Sequence, residues 1–217
     1  SKDNHKSRVF KKNVPDMCGE CHSDPTKMKP YKGHTDQVDE YKQGIHGEIL
    51  YGKRVSPKAD DVPVCNDCHG THGARPAEVS QVPMVCGSCH REVARHLRES
   101  EHRAALIQFD EPECTDCHGN HKNTIPEAGL FTGNGDHDGN CESCHDQEEE
   151  KVLQLAVDLQ NAAGQAEKLG QKFDTAIERH RGKPEAARFL EGESGKVREA
   201  RLKVLRATHS LNTKKVQ

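Results

Sequence analysis

One short pattern, Cys-X-X-Cys-His, occurs five times in this chain, and its copies use all ten cysteines. The copies are Cys18–Cys21–His22, Cys65–Cys68–His69, Cys86–Cys89–His90, Cys114–Cys117–His118 and Cys141–Cys144–His145. The pattern is typical of c-type haem attachment, in which both thiols bond to the porphyrin and the histidine binds the iron from one face. We therefore predict five covalently bound haem c groups, with the motif histidine as the first axial ligand of each iron.

Structural zinc sites are the alternative interpretation of paired cysteines. A tetrahedral site made only of such pairs needs two of them. Five pairs cannot be divided evenly among such sites, and no cysteine is left over to complete one. The number of cysteine pairs therefore favours haem attachment over structural zinc sites.

The composition is too polar for an ordinary globular protein of 217 residues. The chain has no Trp, only 32 % apolar residues and a mean hydropathy of −0.95. Such a composition with a large net charge would indicate disorder, but the net charge is only −3. Five haems would supply the apolar core that the side chains lack, so we expect the haem region to fold only with its cofactors attached.

The attachment chemistry predicts a periplasmic or extracellular protein, because haem is joined to this pattern outside the cytoplasm. The chain starts at Ser1 with no apolar segment typical of a signal peptide, so we expect any signal peptide to have been removed or to be missing from this sequence. No apolar run approaches the length of about 18 residues that crosses a bilayer. A membrane anchor upstream of Ser1 stays an open alternative. Lys and Arg are spread along the chain without interleaved aromatic residues, so we expect no nucleic-acid partner.

Two regions of different character follow from the sequence. Residues 1–145 are rich in Gly, Pro, His and Cys, which predicts short helices and long loops wrapped around haems. Residues 146–217 contain no cysteine and show helical periodicity. The predicted fold is mainly α with much irregular loop: a pentahaem domain at 1–145 and a C-terminal antiparallel helical hairpin at 146–217.

The hairpin prediction depends on two apolar stripes and a break. The first stripe has a 3,4 spacing: Val152, Leu155, Leu159, Ala162, Ala166, Leu169, Phe173 and Ala176. Gly182 and Pro184 interrupt it, and we predict a second helix from about Glu185. The second stripe recurs every seven residues, at Leu190, Val197, Val204 and Leu211.

An internal repeat organises the haem region. The first copy comprises segments 41–47 and 62–72, and the second comprises 96–103 and 111–121. Each copy has a predicted helical segment bearing a histidine, then a linker, then Cys-X-Asp-Cys-His-Gly-X-His. The repeat predicts that histidines at equivalent positions of the two copies have the same role.

Ten of the fifteen histidines lie outside the motifs, whereas five irons need at most five further ligands. They are His5, His34, His46, His72, His96, His102, His121, His137, His180 and His209. Bis-histidine ligation saturates the iron and favours low-potential electron transfer. The chain has only three methionines, and Met17 and Met84 lie too near their own motif to cross its ring, so His/Met ligation is less favoured.

Four distal ligands are predicted from the repeat. His72 and His121 each follow a motif histidine by three residues, on the near side of their own haem, so each is expected to bind a neighbouring iron. His46 and His102 occupy equivalent places on predicted short helices before a motif. Surface histidines in polar segments are the alternative for all four.

We predict His209 as the fifth distal ligand, because a hairpin that returns a histidine to a haem gives the tail a role. A histidine that merely favours the helix dipole is the alternative. His137, in a Gly-rich loop, is the main rival, followed by His5, His34 and His96. His180 falls at the hairpin turn and is expected to be solvated.

At these residues the chain resembles the multihaem c-type cytochromes of respiratory bacteria and archaea, which combine a Ser-X-His-Gly helix with Cys-X-Asp-Cys-His-Gly-X-His. The resemblance covers roughly residues 15–145, and the tail ending in His209 resembles C-terminal helices of some of these proteins more weakly. It departs from the family at Gly44, where Ser is usual, and at Arg103, where Gly is usual.

The resemblance implies electron transfer between respiratory partners: a quinol-oxidising membrane complex on one side and a terminal reductase or extracellular acceptor on the other. Two alternatives stay open. One is a subunit of an extracellular haem filament or another homo-oligomer. The other is a nitrite- or hydroxylamine-type oxidoreductase, which needs an open iron and is disfavoured by the surplus of histidines. We predict an electron carrier without catalytic residues.

Overall fold

The computed structural model describes residues 4–56, 59–71, 82–109, 114–124, 145, 150–180 and 183–210. Within these ranges the chain is mainly α-helical, with much irregular loop and no β-strand, which confirms the predicted fold class. No helix in the described ranges is long and apolar enough to cross a membrane. Four predicted site residues, His72, Cys141, Cys144 and the rival His137, lie outside the described residues.

Short helices alternate with loops before the tail. They are α1 (Val14–His22), α2 (Pro25–Met28), α3 (Gln37–Gln43), α4 (Ile45–Leu50), α5 (Cys65–His69), α6 (Val82–Cys89), α7 (Arg91–Arg98), α8 (Arg103–Phe109) and α9 (Cys114–His118). Two long helices form the tail, α10 (Glu150–Arg179) and α11 (Pro184–Ser210). The second tail helix begins with Pro, as the sequence predicts.

The contacts divide the chain into two compact units. One comprises Ser1–Val82 with His118–Thr124, and the other comprises Pro83–Cys117 with Ile125–Gln217. The boundary predicted at residue 145 is a different division of the chain, and it stays a prediction.

The first unit has a small apolar core where α1 and α3 meet the segment before α5. Val14, Tyr41 and Val64 are buried there, and the Tyr41 hydroxyl donates a hydrogen bond of 2.8 Å to the carbonyl of Pro63. Burial raises the pKa of Tyr41 well above its ordinary value, so the hydroxyl remains a donor. Val38, Val62 and Pro15 are also buried in this unit, so its core is small, as the polar composition predicts.

Gly44 lets the loop at 118–124 approach the start of α4. The Ile45 N–H donates to the Asn123 carbonyl at 2.8 Å. A Cβ atom at Gly44 would lie 2.8 Å from the Asn123 nitrogen and 3.1 Å from the His121 carbonyl oxygen. A side chain at position 44 would therefore clash with this loop, which is a steric reason for the glycine.

The second unit contains the antiparallel hairpin. Arg201 on α11 contacts Glu167 at 2.7 Å and Asp174 at 3.6 Å on α10, which fixes the antiparallel register. Ala207, near the C-terminal end of α11, is almost fully buried. The same helix also packs against α7. The hairpin predicted from the sequence is therefore present in the described residues.

The apolar stripe predicted on α10 is wrong at Leu169, whereas Ala166, Phe173 and Ala176 are partly buried. Leu159 is buried as expected, but Leu169 is 63 % exposed, and Gly170 is buried instead. A Cβ at Gly170 would lie 2.8 Å from the Arg201 guanidinium group. The long arginine side chain needs a residue without a side chain beneath it, and this need outweighs the burial of one leucine.

Asp174 makes the stability of the hairpin dependent on pH. Burial raises its pKa above the ordinary value of 3.8, and the attraction of Arg201 only partly opposes this. The folded state therefore holds this proton more tightly, so stability falls as pH rises through the folded pKa. We expect Asp174→Asn to raise the urea midpoint of the holoprotein at pH 7, and the gain to vanish below pH 3.8.

The exposed Asp158 on the same helix supplies the control. Asp158→Asn should leave the midpoint nearly unchanged at both pH values. A lower midpoint for Asp174→Asn at pH 7 would mean that its ion pair with Arg201 outweighs the cost of burial.

Candidate haem-attachment sites

Each described motif is wound as a helical turn. Motifs two and four are one-turn helices in themselves, α5 and α9, motif one ends α1, and the cysteines of motif three end α6. Residues at i, i+3 and i+4 share one face of a helix. In motifs one, two and four the two thiols and the imidazole therefore face the same side, as attachment to one flat porphyrin requires, whereas His90 of motif three follows the end of its helix.

The first cysteines of motifs one and two, Cys18 and Cys65, are neighbours and pack against the core of the first unit. Burial and the neighbouring Cys18 thiol raise the pKa of Cys65, so this thiol is protonated and apolar in character. The second cysteine of each of these motifs, Cys21 and Cys68, is exposed. Among the described residues no three His, Cys, Asp or Glu side chains form a cluster that could hold a metal ion by itself.

The predicted distal ligand His121 lies opposite the motif histidine His69. Their ring centroids are 6.0 Å apart and the ring planes differ by 25°. Nδ1 of His121 faces the Glu40 carboxylate at 3.6 Å. Burial and His69 lower the pKa of His121, so the imidazole is neutral, which is the form that binds a metal.

The predicted distal ligand His102 lies opposite the motif histidine His145. The centroids are 5.9 Å apart and the planes differ by 79°. Burial and His145 lower the pKa of His102. Nδ1 of His102 is buried and has no hydrogen-bond partner among the described residues. A buried polar atom of this kind needs an explanation, and an iron ion held by this imidazole would provide one, so the residues fit the group.

The prediction that His102 lies on a helix is wrong. It occupies a turn between α7 and α8, because Ser100 ends one helix and starts the next. The Ser100 hydroxyl accepts from the His102 N–H at 3.2 Å, and its carbonyl accepts from Arg103. Serine is favoured at such caps, so the Ser-X-His sequence itself indicates this turn.

His46 does lie on a helix, α4, and its orientation depends on Asn123. Nδ1 of His46 is 3.1 Å from Asn123 Oδ1. The amide nitrogen of Asn123 donates to the carbonyls of Gly119 and Asn120, so its oxygen accepts and His46 carries the proton on Nδ1. Nε2 of His46 is then the nitrogen that can bind a metal.

The motif histidine His118 has the same tautomer for a similar reason. Its Nδ1–H donates to the Thr124 carbonyl at 2.8 Å, and the Thr124 N–H donates back to the His118 carbonyl. Hydrogen bonds of this kind orient the imidazole of a metal ligand. The sequence analysis did not single out Asn123 or Thr124, although their positions just after His121 were a usable signal.

Three further predicted ligands lie on or beside helices. His22 ends α1 and His90 precedes α7, both exposed. His209 lies on α11, and its Nδ1 donates to the Leu205 carbonyl at 2.8 Å. His180 makes the same contact with Ala176, so this contact does not mark a ligand. The role of His209 stays a prediction.

His96, a lesser candidate in the sequence, is buried between α7 and α11. Its Nε2 is 3.2 Å from the Arg95 guanidinium group, and its Nδ1 has no partner among the described residues. Burial and the positive charges of Arg95 and Arg206 lower its pKa. A neutral imidazole is thus placed in the second unit.

A family model of known proteins matches part of the chain. Residues 57–129, about a third of the chain, match the family model of cytochrome c3. That range contains the second, third and fourth motifs, and the match supports a multihaem c-type cytochrome that transfers electrons. No curated protein and no solved structure matches the chain.

Asn123→Ala tests whether this amide orients a ligand. We expect the midpoint potential of one haem to rise, because a less firmly held imidazole stabilises the ferric iron less, while the other potentials stay unchanged. Loss of such a partner weakens metal binding roughly 10–100-fold. A spectroelectrochemical titration measures the potentials.

Asn120→Ala is the matched control, since this side chain is exposed in the same loop. Five unchanged potentials in Asn123→Ala would contradict the assignment of His46 as a ligand.

Proposed function

We propose that this chain is a pentahaem c-type cytochrome that carries electrons between respiratory partners in the periplasm or outside the cell. The observation that carries the proposal is the winding of motifs one, two and four as helical turns, which puts two thiols and one imidazole on one face. The cytochrome c3 match over three of the motifs supports the same class.

The ligand set favours an electron carrier over an enzyme. Bound haem supplies a reversible one-electron ferric/ferrous couple. The protein residues hold the iron from both faces, and their hydrogen bonds and burial set its potential. His46, His72, His102, His121 and His209 are the proposed second ligands, so no iron is left open for substrate.

The proposed partners are redox proteins: a quinol-oxidising membrane complex as donor, and a terminal reductase or extracellular acceptor. The holoprotein would carry about ten additional negative charges from two propionates per haem. Partner docking should therefore depend on ionic strength. Assembly with further copies of the chain into a filament is a second proposal, which electron microscopy of the purified protein would test.

Haem content and spin state test the proposed function together. We expect five haems per chain in a pyridine haemochrome assay, one for each motif. We also expect low-spin spectra in both oxidation states, because each iron has two imidazole ligands. Replacing both cysteines of any one motif by serine should reduce the count by one.

The same protein should bind carbon monoxide slowly and well below stoichiometry. Rapid binding at one haem per chain would contradict the carrier and favour the oxidoreductase. A count below five would contradict the pentahaem assignment itself.

Truncation after Arg206 tests His209 as the fifth ligand. The truncated holoprotein should contain one haem that binds carbon monoxide and four that do not, because only one iron loses a ligand. If all five haems remain low-spin, His209 is not a ligand, and His137 is the next candidate.

A further inference from the structure

Two histidine pairs share an unusual combination of features. Each pair joins a motif histidine to a histidine outside the motifs, His69 to His121 and His102 to His145. The centroid separations, 6.0 Å and 5.9 Å, are almost equal although the two ring pairs differ in interplanar angle, 25° and 79°. A common cause for the common distance is a single metal ion between the rings.

The expected separation follows from bond lengths. A metal–nitrogen bond to histidine is about 2 Å long, so two imidazoles on opposite faces of one iron have their bonding nitrogens about 4 Å apart. Each ring centroid lies about 1 Å behind its nitrogen, which puts the centroids about 6 Å apart. Packing of two aromatic rings covers a broader range, about 4.5–7 Å, and does not explain why both pairs contain one motif histidine.

We propose that His69 and His121 are the two axial ligands of the iron attached at motif two, and that His145 and His102 are those of the iron attached at motif five. The inference rests on the proposed function, and it adds the assignment of ligand to iron. Motif four and the loop that follows it would then supply ligands to two irons: His118 to the iron of motif four and His121 to the iron of motif two.

The order of the irons in space therefore differs from the order of their motifs along the chain. His118 and His121 are three residues apart in one loop, so the irons of motifs four and two are neighbours. The Cys18 thiol lies beside that of Cys65, which makes motif one the neighbour of motif two on another side.

A combination of variants identifies the iron to which His121 is the second axial ligand. In holoprotein, His121→Ala should create one haem that binds carbon monoxide, and Asn120→Ala should create none. In a chain lacking the motif-two haem through Cys65→Ser and Cys68→Ser, His121→Ala should create no further such haem. A further carbon-monoxide-binding haem in that background would overturn the pairing.

The equivalent experiment applies to the second pair. His102→Ala should open one haem in the complete holoprotein and none in the Cys141→Ser, Cys144→Ser background. His180→Ala, at the end of α10, is the control. An additional open haem in the depleted background would assign His102 to another iron.

Chains lacking a haem can fail to accumulate, so unmodified holoprotein provides a second test. Near-parallel imidazole planes give a rhombic low-spin EPR signal, and near-perpendicular planes give a strongly anisotropic one. The angles of 25° and 79° predict one haem of each kind. An iron-resolved structure of the same protein must show His121 opposite His69, and any other residue there overturns the assignment.

These outcomes are distinguishable from failure of the proposed function. Fewer than five haems would contradict the pentahaem carrier. Five low-spin haems with different ligand partners would leave the carrier intact and remove only the pairing.

Discussion

The winding of Cys-X-X-Cys-His as one helical turn is the constraint on which the described haem region depends. A single turn gains too little from its own hydrogen bonds to be stable in water, so it must be held from outside. In motif two the Asp67 carboxylate accepts the Val64 N–H at 2.8 Å and caps the turn at its start. The Asp of the repeated Cys-X-Asp-Cys sequence thus has a structural role in this motif, apart from any role in redox chemistry.

The shortage of apolar side chains explains how the loops are organised. The core of the first unit consists of Val14, Tyr41 and Val64 with partly buried neighbours, which is little for so many residues to bury. Backbone and side-chain hydrogen bonds supply part of the missing order. Asn123 alone connects α4, through His46 and Ile45, to the loop that follows α9. The proposed haems would supply the remaining buried apolar surface.

Much of this arrangement could be predicted from the sequence, because the signals were local. The motif spacing, the break before Pro184 and the helical periodicity of the tail lie within a few residues of one another. The errors have a different origin. Leu169 is exposed because Arg201, distant in sequence, lies over Gly170, and no pattern on α10 alone contains that information. His102 was assigned to a helix although Ser100 supplies a cap two residues earlier.

The candidate ligands could be selected from the sequence, but the histidine that lies opposite each of them could not. The repeat equates His72 with His121 and His46 with His102, and it implies that each pair of positions acts alike. Pairing depends instead on which loops approach, and Gly44 controls one such approach by admitting the Asn123 backbone beside α4. That contact fixes the loop of His121, and the loop brings His121 to His69. Gly44, which lies outside every motif, thus admits the contact that positions the loop of His121, and in the proposed ligand assignment this loop links the irons of the second and fourth motifs.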